Sequence, residues 1–168
     1  MKKLFLIGAM AALGLSCSSD DDGGSNVSVE GTWKLTKFET TEGIDFNNDG
    51  TASKNLIAET GCFGSSNIVF GDSDVVIFSM QSIDADTATN EDGGYDYTTT
   101  CDPASPTTGT YSVSDNSVTL NAGTSPIALT RSGNKLTYSI PESFNVPVEQ
   151  NGEIVEVQMG AYIEFTKQ

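Results

Sequence analysis

The feature that most constrains this chain is an alternation of apolar and polar residues with a period of two, interrupted by short turns. Such alternation is typical of β-strands that bury one face. In TGTYSVSDNSVTLN, a two-residue turn at residues 115–116 places Val113 opposite Val118. The same register places Tyr111 opposite Leu120, so all four side chains are predicted to share one face of a hairpin.

The same pattern recurs in three other stretches. PIALTRSGNKLTYSI predicts a hairpin around residues 133–134, with Arg131 opposite Leu136. IVFGDSDVVIFSM predicts another hairpin around residues 71–74. A turn at Met159–Gly160 is predicted to join EIVEVQ to AYIEFTK as a fourth hairpin, although these two segments alternate less regularly.

Two segments depart from the strand pattern. SKNLIAET is predicted to form a short helix, with Ser53 as its N-cap and Gly61 as the stop after its last turn. The stretch DADTATNEDGGYD, residues 84–96, is acidic and has no apolar periodicity. It is therefore predicted to be a mobile, exposed loop.

Consecutive strands joined by hairpins predict an all-β domain over residues 29–168, an up-and-down antiparallel β-barrel with one short helix. Closure removes the exposed edges that an open sheet would leave, and a β-sandwich is the alternative. Large side chains either line a cavity or fill the barrel, and solid packing is the commoner outcome in small barrels. The candidates are Phe38, Phe70, Phe78, Tyr111, Tyr138 and Phe165.

The first residues, MKKLFLIGAMAALGLSC, combine two lysines with an apolar run that is too short for a permanent membrane span. Residues 1–16 are therefore predicted to be a secretory signal peptide. The end of the run resembles the lipobox of bacterial lipoproteins, which implies that Cys17 is lipidated and becomes the mature N-terminus. An ordinary cleaved signal followed by an unrelated cysteine is the alternative.

Residues 17–28 contain SSDDDGGSN and are predicted to form an acidic, flexible tether. The acidic residues directly behind Cys17 resemble the export signal that sends some lipoproteins to the outer face of the outer membrane. We therefore expect the protein to be attached to the outer membrane by its lipid anchor and exposed at the cell surface. Location on the periplasmic face, with a tether that is only a spacer, is the alternative.

The charge and composition exclude several classes of function. Removal of residues 1–16 takes away two lysines and no acids, which leaves six basic and 23 acidic residues and a net charge of −17. Nucleic acid is therefore excluded as a partner, since its phosphates are bound by basic patches. The chain has no histidine, so neither a catalytic triad with a histidine base nor a typical zinc site is expected. We expect a non-enzymatic protein that is a monomer.

Cys62 and Cys101 remain once Cys17 is assigned to lipid. Outside the cytoplasm two such cysteines are expected to form a disulfide. Two free thiols are the alternative.

The segment DFNNDGTASKNL has oxygen-bearing side chains at its first, third and fifth positions and glycine at its sixth, as calcium loops do. Its twelfth residue is Leu56, which cannot bind a metal, so the nearest acid is Glu59. A weak, structural Ca²⁺ site is one prediction, and a turn that only satisfies its own backbone is the alternative. The candidate ligands are Asp45, Asn47, Asp49, Thr51, Ser53 and Glu59.

The first predicted strand, GTWKLTKFE, carries Gly31 and Trp33, similar to the G-x-W of lipocalins. Together with the lipoprotein start, the D-x-N-x-D-G insertion and the cysteine after it, this strand makes the chain resemble the lipocalin-like domain lipoproteins of bacterial surfaces. In lipocalins an arginine of the last strand covers the tryptophan. Arg131 is the only arginine here and comes too early, whereas Lys167 lies nearer the expected place.

The resemblance implies a surface-anchored barrel that binds a small apolar or amphipathic ligand without catalysis. The negative charge favours a neutral or cationic ligand over an anion. An accessory or adhesive module that binds protein or glycan through its loops, with a structural calcium loop, is the alternative function.

Overall fold

The architecture is that of a closed barrel, seen in a computed structural model that describes residues 28–168. The elements are β1 (Gly31–Ile44), β2 (Ser53–Asn55), α1 (Leu56–Thr60), β3 (Asn67–Phe70), β4 (Val75–Met80), β5 (Ile83–Thr89), β6 (Tyr95–Cys101), β7 (Ser105–Ser114), β8 (Ser117–Asn121), β9 (Ile127–Ser132), β10 (Lys135–Gln150) and β11 (Glu153–Lys167).

Eight of these strands, β1, β3, β4, β7, β8, β9, β10 and β11, pair antiparallel with their neighbours in chain order. The last strand returns to the first, with Trp33 opposite Lys167 and Phe38 opposite Ile163, and this pairing closes the barrel. The predicted up-and-down barrel with one short helix is confirmed, and the β-sandwich alternative is wrong.

The predicted signal peptide (residues 1–16), Cys17 and the tether up to residue 27 lie outside the described residues. Within residues 28–168, no helix has the length and apolar character needed to cross a membrane.

The predicted hairpin at residues 115–116 is confirmed, with Tyr111 opposite Leu120 and Val113 opposite Val118. The prediction of one shared buried face is only partly right, because Val113 is 45% exposed while the other three side chains are buried. The hairpins at residues 71–74 and 133–134 also form as predicted.

The predicted turn at Met159–Gly160 is wrong, because β11 runs through both residues and the turn lies at Asn151–Gly152. Gly160 is needed for close approach instead. The pairing of β10 with β11 shifts register between Ile140 and Phe144, and a Cβ on Gly160 would lie 2.8 Å from the Ile140 carbonyl oxygen. The glycine therefore marks an irregularity between two long strands.

Residues 84–96 are not the predicted loop, because most of them belong to the antiparallel hairpin of β5 and β6. This two-stranded sheet is separate from the barrel sheet. Ile83, Ala85 and Tyr97 are partly buried and pack against the core, whereas Asp84 and Asp86 are exposed. The alternation is present in the sequence, but half of the six inward residues are alanine or threonine, which give little hydrophobic signal.

The short helix forms, but Asn55 and not Ser53 is its N-cap, since the Asn55 side chain accepts a hydrogen bond from the amide of Ala58 at 3.2 Å. Ser53 lies instead in β2, where it pairs with Ile44 of β1. Gly61 ends the helix in the left-handed conformation, as predicted.

Trp33 fills the end of the barrel where the chain enters. Its side chain is completely buried, and its Nε1 donates to the Val29 carbonyl at 2.7 Å. The Phe70 ring stands edge-on to it with centroids 6.4 Å apart. The Lys167 ammonium lies 5.8 Å from the centroid of the Trp33 ring, so the closing cation comes from the last strand, and Gly31 begins the first strand with a φ of 111°.

Candidate functional site

The up-and-down order places the connections between strands at alternate ends of the barrel. The tight turns β3–β4, β7–β8 and β9–β10 lie at the end that contains Trp33, which we call the base. The opposite end, the mouth, carries the segment 45–66 and the β5–β6 hairpin. Because these longer connections meet at one end, the mouth is where the fold places most of its irregular structure.

A cavity of about 350 Å³ lies inside the mouth, and we call it the upper chamber. Its lining is mostly apolar, and its polar side chains are Thr40, Gln81, Ser82 and Asn145. The apolar lining consists of Phe38, Ile44, Phe46, Leu56, Phe63, Met80, Ile83, Ile140, Val146, Pro147 and Ile163.

A second cavity of about 210 Å³, the lower chamber, is lined by residues of β4, β8, β9, β10 and β11. Met80, Ile140 and Ile163 line both chambers, so the two cavities adjoin at these three side chains. The remaining lining of the lower chamber consists of Phe78, Leu120, Ile127, Leu129, Tyr138 and Phe165.

The large side chains that the sequence singled out divide between the two halves of the barrel. Phe38 lines the upper chamber, and Phe78, Tyr138 and Phe165 line the lower one. The other two fill the base, where the rings of Phe70 and Tyr111 meet edge-on with centroids 4.8 Å apart. The barrel is thus packed at its base and hollow toward its mouth.

Tyr97 holds the β5–β6 hairpin at the mouth. Its hydroxyl donates to the Pro147 carbonyl of β10 at 2.8 Å, and its ring meets Phe46 edge-on at 5.1 Å. The Asn48 side chain accepts from the Tyr97 amide and donates to the Tyr97 carbonyl, both at 2.8 Å. The hairpin is therefore bonded to the 45–50 segment on one side and to β10 on the other.

The disulfide between Cys62 and Cys101 is present, as predicted, with Cα atoms 5.5 Å apart. Cys62 follows α1 and is buried, and Cys101 is the last residue of β6. The bond therefore attaches the end of the β5–β6 hairpin to the segment that carries Leu56 and Phe63, which line the upper chamber.

The lipocalin-like domain family matches residues 29–156, which is more than half of the chain. The chain belongs to this family. No curated protein and no solved structure matches it. Lipocalin-like domains are typically binding proteins and not enzymes.

Among the described residues that line the two chambers of this lipocalin-like barrel, none carries a charge. Asp84, Asp86 and Asp96 are exposed on the β5–β6 hairpin. A separate polar pocket of about 450 Å³ adjoins the upper chamber at Ile44 and includes Asp45 in its lining.

The predicted calcium loop forms a turn closed by its own amides. Asp45 accepts from the amides of Asp49 at 2.9 Å and Gly50 at 2.8 Å. Asn47 accepts from the Asp49 amide at 3.0 Å, and Asp49 accepts from the Thr51 amide at 2.8 Å. Such bonds are what a turn rich in aspartate and asparagine makes without a metal.

Glu59 is brought back to the same loop. Its carboxylate is buried and accepts from the Phe46 amide at 3.1 Å. Burial raises the pKa of Glu59, and the negative charges of Asp49 and Asp45 raise it further. Within residues 28–168, no three acidic, cysteine or histidine side chains are grouped closely enough to hold a metal. Calcium binding by this lipocalin-like domain stays a prediction. Ser53, one of the predicted ligands, lies in β2.

The sequence did not identify most of the residues that line the cavity. Ile44 and Phe46 alternate with Asp45 and Asn47 at the start of the predicted calcium loop. This period of two could have indicated that the two apolar side chains face inward. Met80, Ile140 and Ile163 could be recognised as inward-facing, but their meeting depends on closure of the lipocalin-like barrel.

Proposed function

We propose that the barrel binds one small apolar or amphipathic molecule in its chambers and performs no chemistry on it. The observation that carries this proposal is the upper chamber, about 350 Å³ of mostly apolar space at the mouth. Ligand pockets in proteins have volumes of this order and combine an apolar lining with a few polar groups. Thr40, Gln81, Ser82 and Asn145 are such groups.

The preferred ligand is neutral or cationic. Any ion would lose its hydration on entering a chamber whose described lining carries no charged side chain, and this loss is costly when no partner compensates it, which favours a neutral group inside the chamber. The exposed aspartates of the β5–β6 hairpin and the net charge of −17 would repel an anion during approach but not a neutral or cationic molecule.

A lipid anchor on Cys17 is the second part of the proposal, with the protein on the outer face of the outer membrane. The apolar run before Cys17 and the acidic residues behind it support this location. The Trp33 side chain donates a hydrogen bond to the Val29 carbonyl at the base, so the chain enters the barrel at the end opposite the mouth. The anchor would then be attached on the far side from the ligand entrance, which leaves the mouth accessible to molecules outside the cell.

Titration of the secreted Cys17→Ser protein with an environment-sensitive apolar dye tests ligand binding. Ile83 lines the upper chamber, so Ile83→Trp should fill the entrance and weaken dye binding at least tenfold. Val113→Trp is the matched control, because Val113 is exposed at the base. The proposal predicts saturable binding by the parent protein and by the control. Unsaturable binding, or equal binding by both tryptophan variants, would contradict it.

A further inference from the structure

The two chambers adjoin at Met80, Ile140 and Ile163, which line both of them, and we call these three side chains the neck. Ile140 and Ile163 come from the adjacent strands β10 and β11, whereas Met80 ends β4, which pairs with neither of them. The neck is therefore bounded by side chains from two separate parts of the barrel wall. A ligand that occupies both chambers has to pass between them.

The side chains of the neck favour a narrow ligand. The two isoleucines are branched at Cβ, which restricts their rotation and keeps that side of the neck fixed. Methionine is unbranched and flexible, so the Met80 side chain can move and admit an aliphatic chain between itself and the two isoleucines. A fused ring system would need wider separation of the wall than one flexible side chain can provide, because packed interiors resist expansion.

Polar groups are distributed unequally between the chambers. The upper chamber contains Thr40, Gln81, Ser82 and Asn145. Among the described residues that line the lower chamber, Tyr138 alone has a polar side-chain group, its hydroxyl. Beneath the lower chamber the base is packed by buried residues such as Trp33 and Phe70. A ligand therefore has its polar end above the neck and an apolar end below it.

We infer that the ligand is a single unbranched aliphatic chain with a small uncharged head, which lies in the upper chamber while the chain passes the neck into the lower one. This inference rests on the proposed function and adds the shape and head group of the molecule. Each further methylene that enters the chambers should tighten binding about fourfold, the factor that corresponds to about 0.8 kcal/mol of transfer free energy.

Displacement of the apolar dye from the secreted Cys17→Ser protein by straight-chain alcohols, from hexanol to dodecanol, tests the inference. Affinity should rise along the series, and cyclododecanol should bind at least tenfold more weakly than dodecanol, which has the same number of carbon atoms. Met80→Phe should narrow the neck and weaken dodecanol at least tenfold, a larger loss of affinity than for hexanol, whose shorter chain reaches less far past the neck. Ile77→Phe, on the exposed face of the same strand, is the control and should leave the series unchanged.

Leu129→Phe provides a second variant, because Leu129 lines the lower chamber and not the upper one. It should also weaken dodecanol selectively, and thermal melting establishes that each variant is folded. The inference is overturned if dodecanol binds no better than hexanol or cyclododecanol, or if the folded variants weaken hexanol and dodecanol equally. Failure of both the dye and every alcohol to bind the parent protein would instead overturn the proposed function, and this inference with it.

Discussion

Trp33 is the residue on which the base of the barrel depends most. It is completely buried, donates to Val29 and contacts Phe70. Replacement by alanine removes these contacts and leaves a cavity, so Trp33→Ala should lower the free energy of unfolding by about 3–5 kcal/mol. Denaturant unfolding followed by circular dichroism measures this difference.

Lys167→Met tests the contribution of the Lys167 charge at the base separately from the packing of its aliphatic stem. The variant keeps most of the aliphatic stem and removes the ammonium group that lies over the Trp33 ring. Its expected cost is about 0.5–2 kcal/mol, clearly smaller than that of Trp33→Ala. Equal stability losses in the two variants would show that Trp33 does not hold the base in the way described.

At the scale of the element, the disulfide attaches the β5–β6 hairpin to the segment after α1. The double variant Cys62→Ser, Cys101→Ser should lose about 3–4 kcal/mol of unfolding free energy, because the unfolded chain is no longer restrained. Its far-ultraviolet circular dichroism should be unchanged. Amide exchange of residues 83–101 should be faster than in the parent protein, since the hairpin pairs with no strand of the barrel sheet. Unchanged melting temperature and exchange would contradict this role.

Calcium binding by the loop at residues 45–51 can be tested directly. Each carboxylate oxygen of Asp45 accepts an amide and still has a second lone pair for a metal ion. Calcium that binds only the folded protein should raise the melting temperature, and a chelator should reverse the rise. Asp49→Ala should abolish the response. No shift at millimolar calcium would leave the loop as a turn closed by its own amides.

The elements that sequence analysis predicted correctly are those whose information is local. The hairpin at residues 115–116 combines a short turn with alternation on both sides, so its register follows from neighbouring residues. The β5–β6 hairpin was missed because half of its inward residues are alanine or threonine, and Gly160 was interpreted as a turn because the close approach of Ile140 cannot be seen in one strand. The neck was missed for a similar reason, since its three residues meet only after closure.

At the scale of the whole molecule, the proposed anchor predicts where the protein is found in the cell. Cys17→Ser should release it from membranes without lowering its melting temperature, because residues 18–26 contain no apolar side chain that could join a core. Cell fractionation and thermal melting measure the two effects. Replacement of Asp20, Asp21 and Asp22 by alanine should leave the protein lipidated but protected from external protease. A Cys17→Ser protein that stays with membranes would contradict the lipid anchor. Unchanged protease cleavage of the alanine variant would contradict the role of the three aspartates in surface export.

The central claim is that the barrel is hollow toward its mouth and holds a small molecule there. Native mass spectrometry of the secreted Cys17→Ser protein, followed by solvent extraction, tests it most directly. We predict a bound neutral or cationic molecule of low mass that is absent from Ile83→Trp, whose added ring fills the upper chamber. A parent protein without any bound molecule, and without saturable binding of an apolar dye, would contradict the claim.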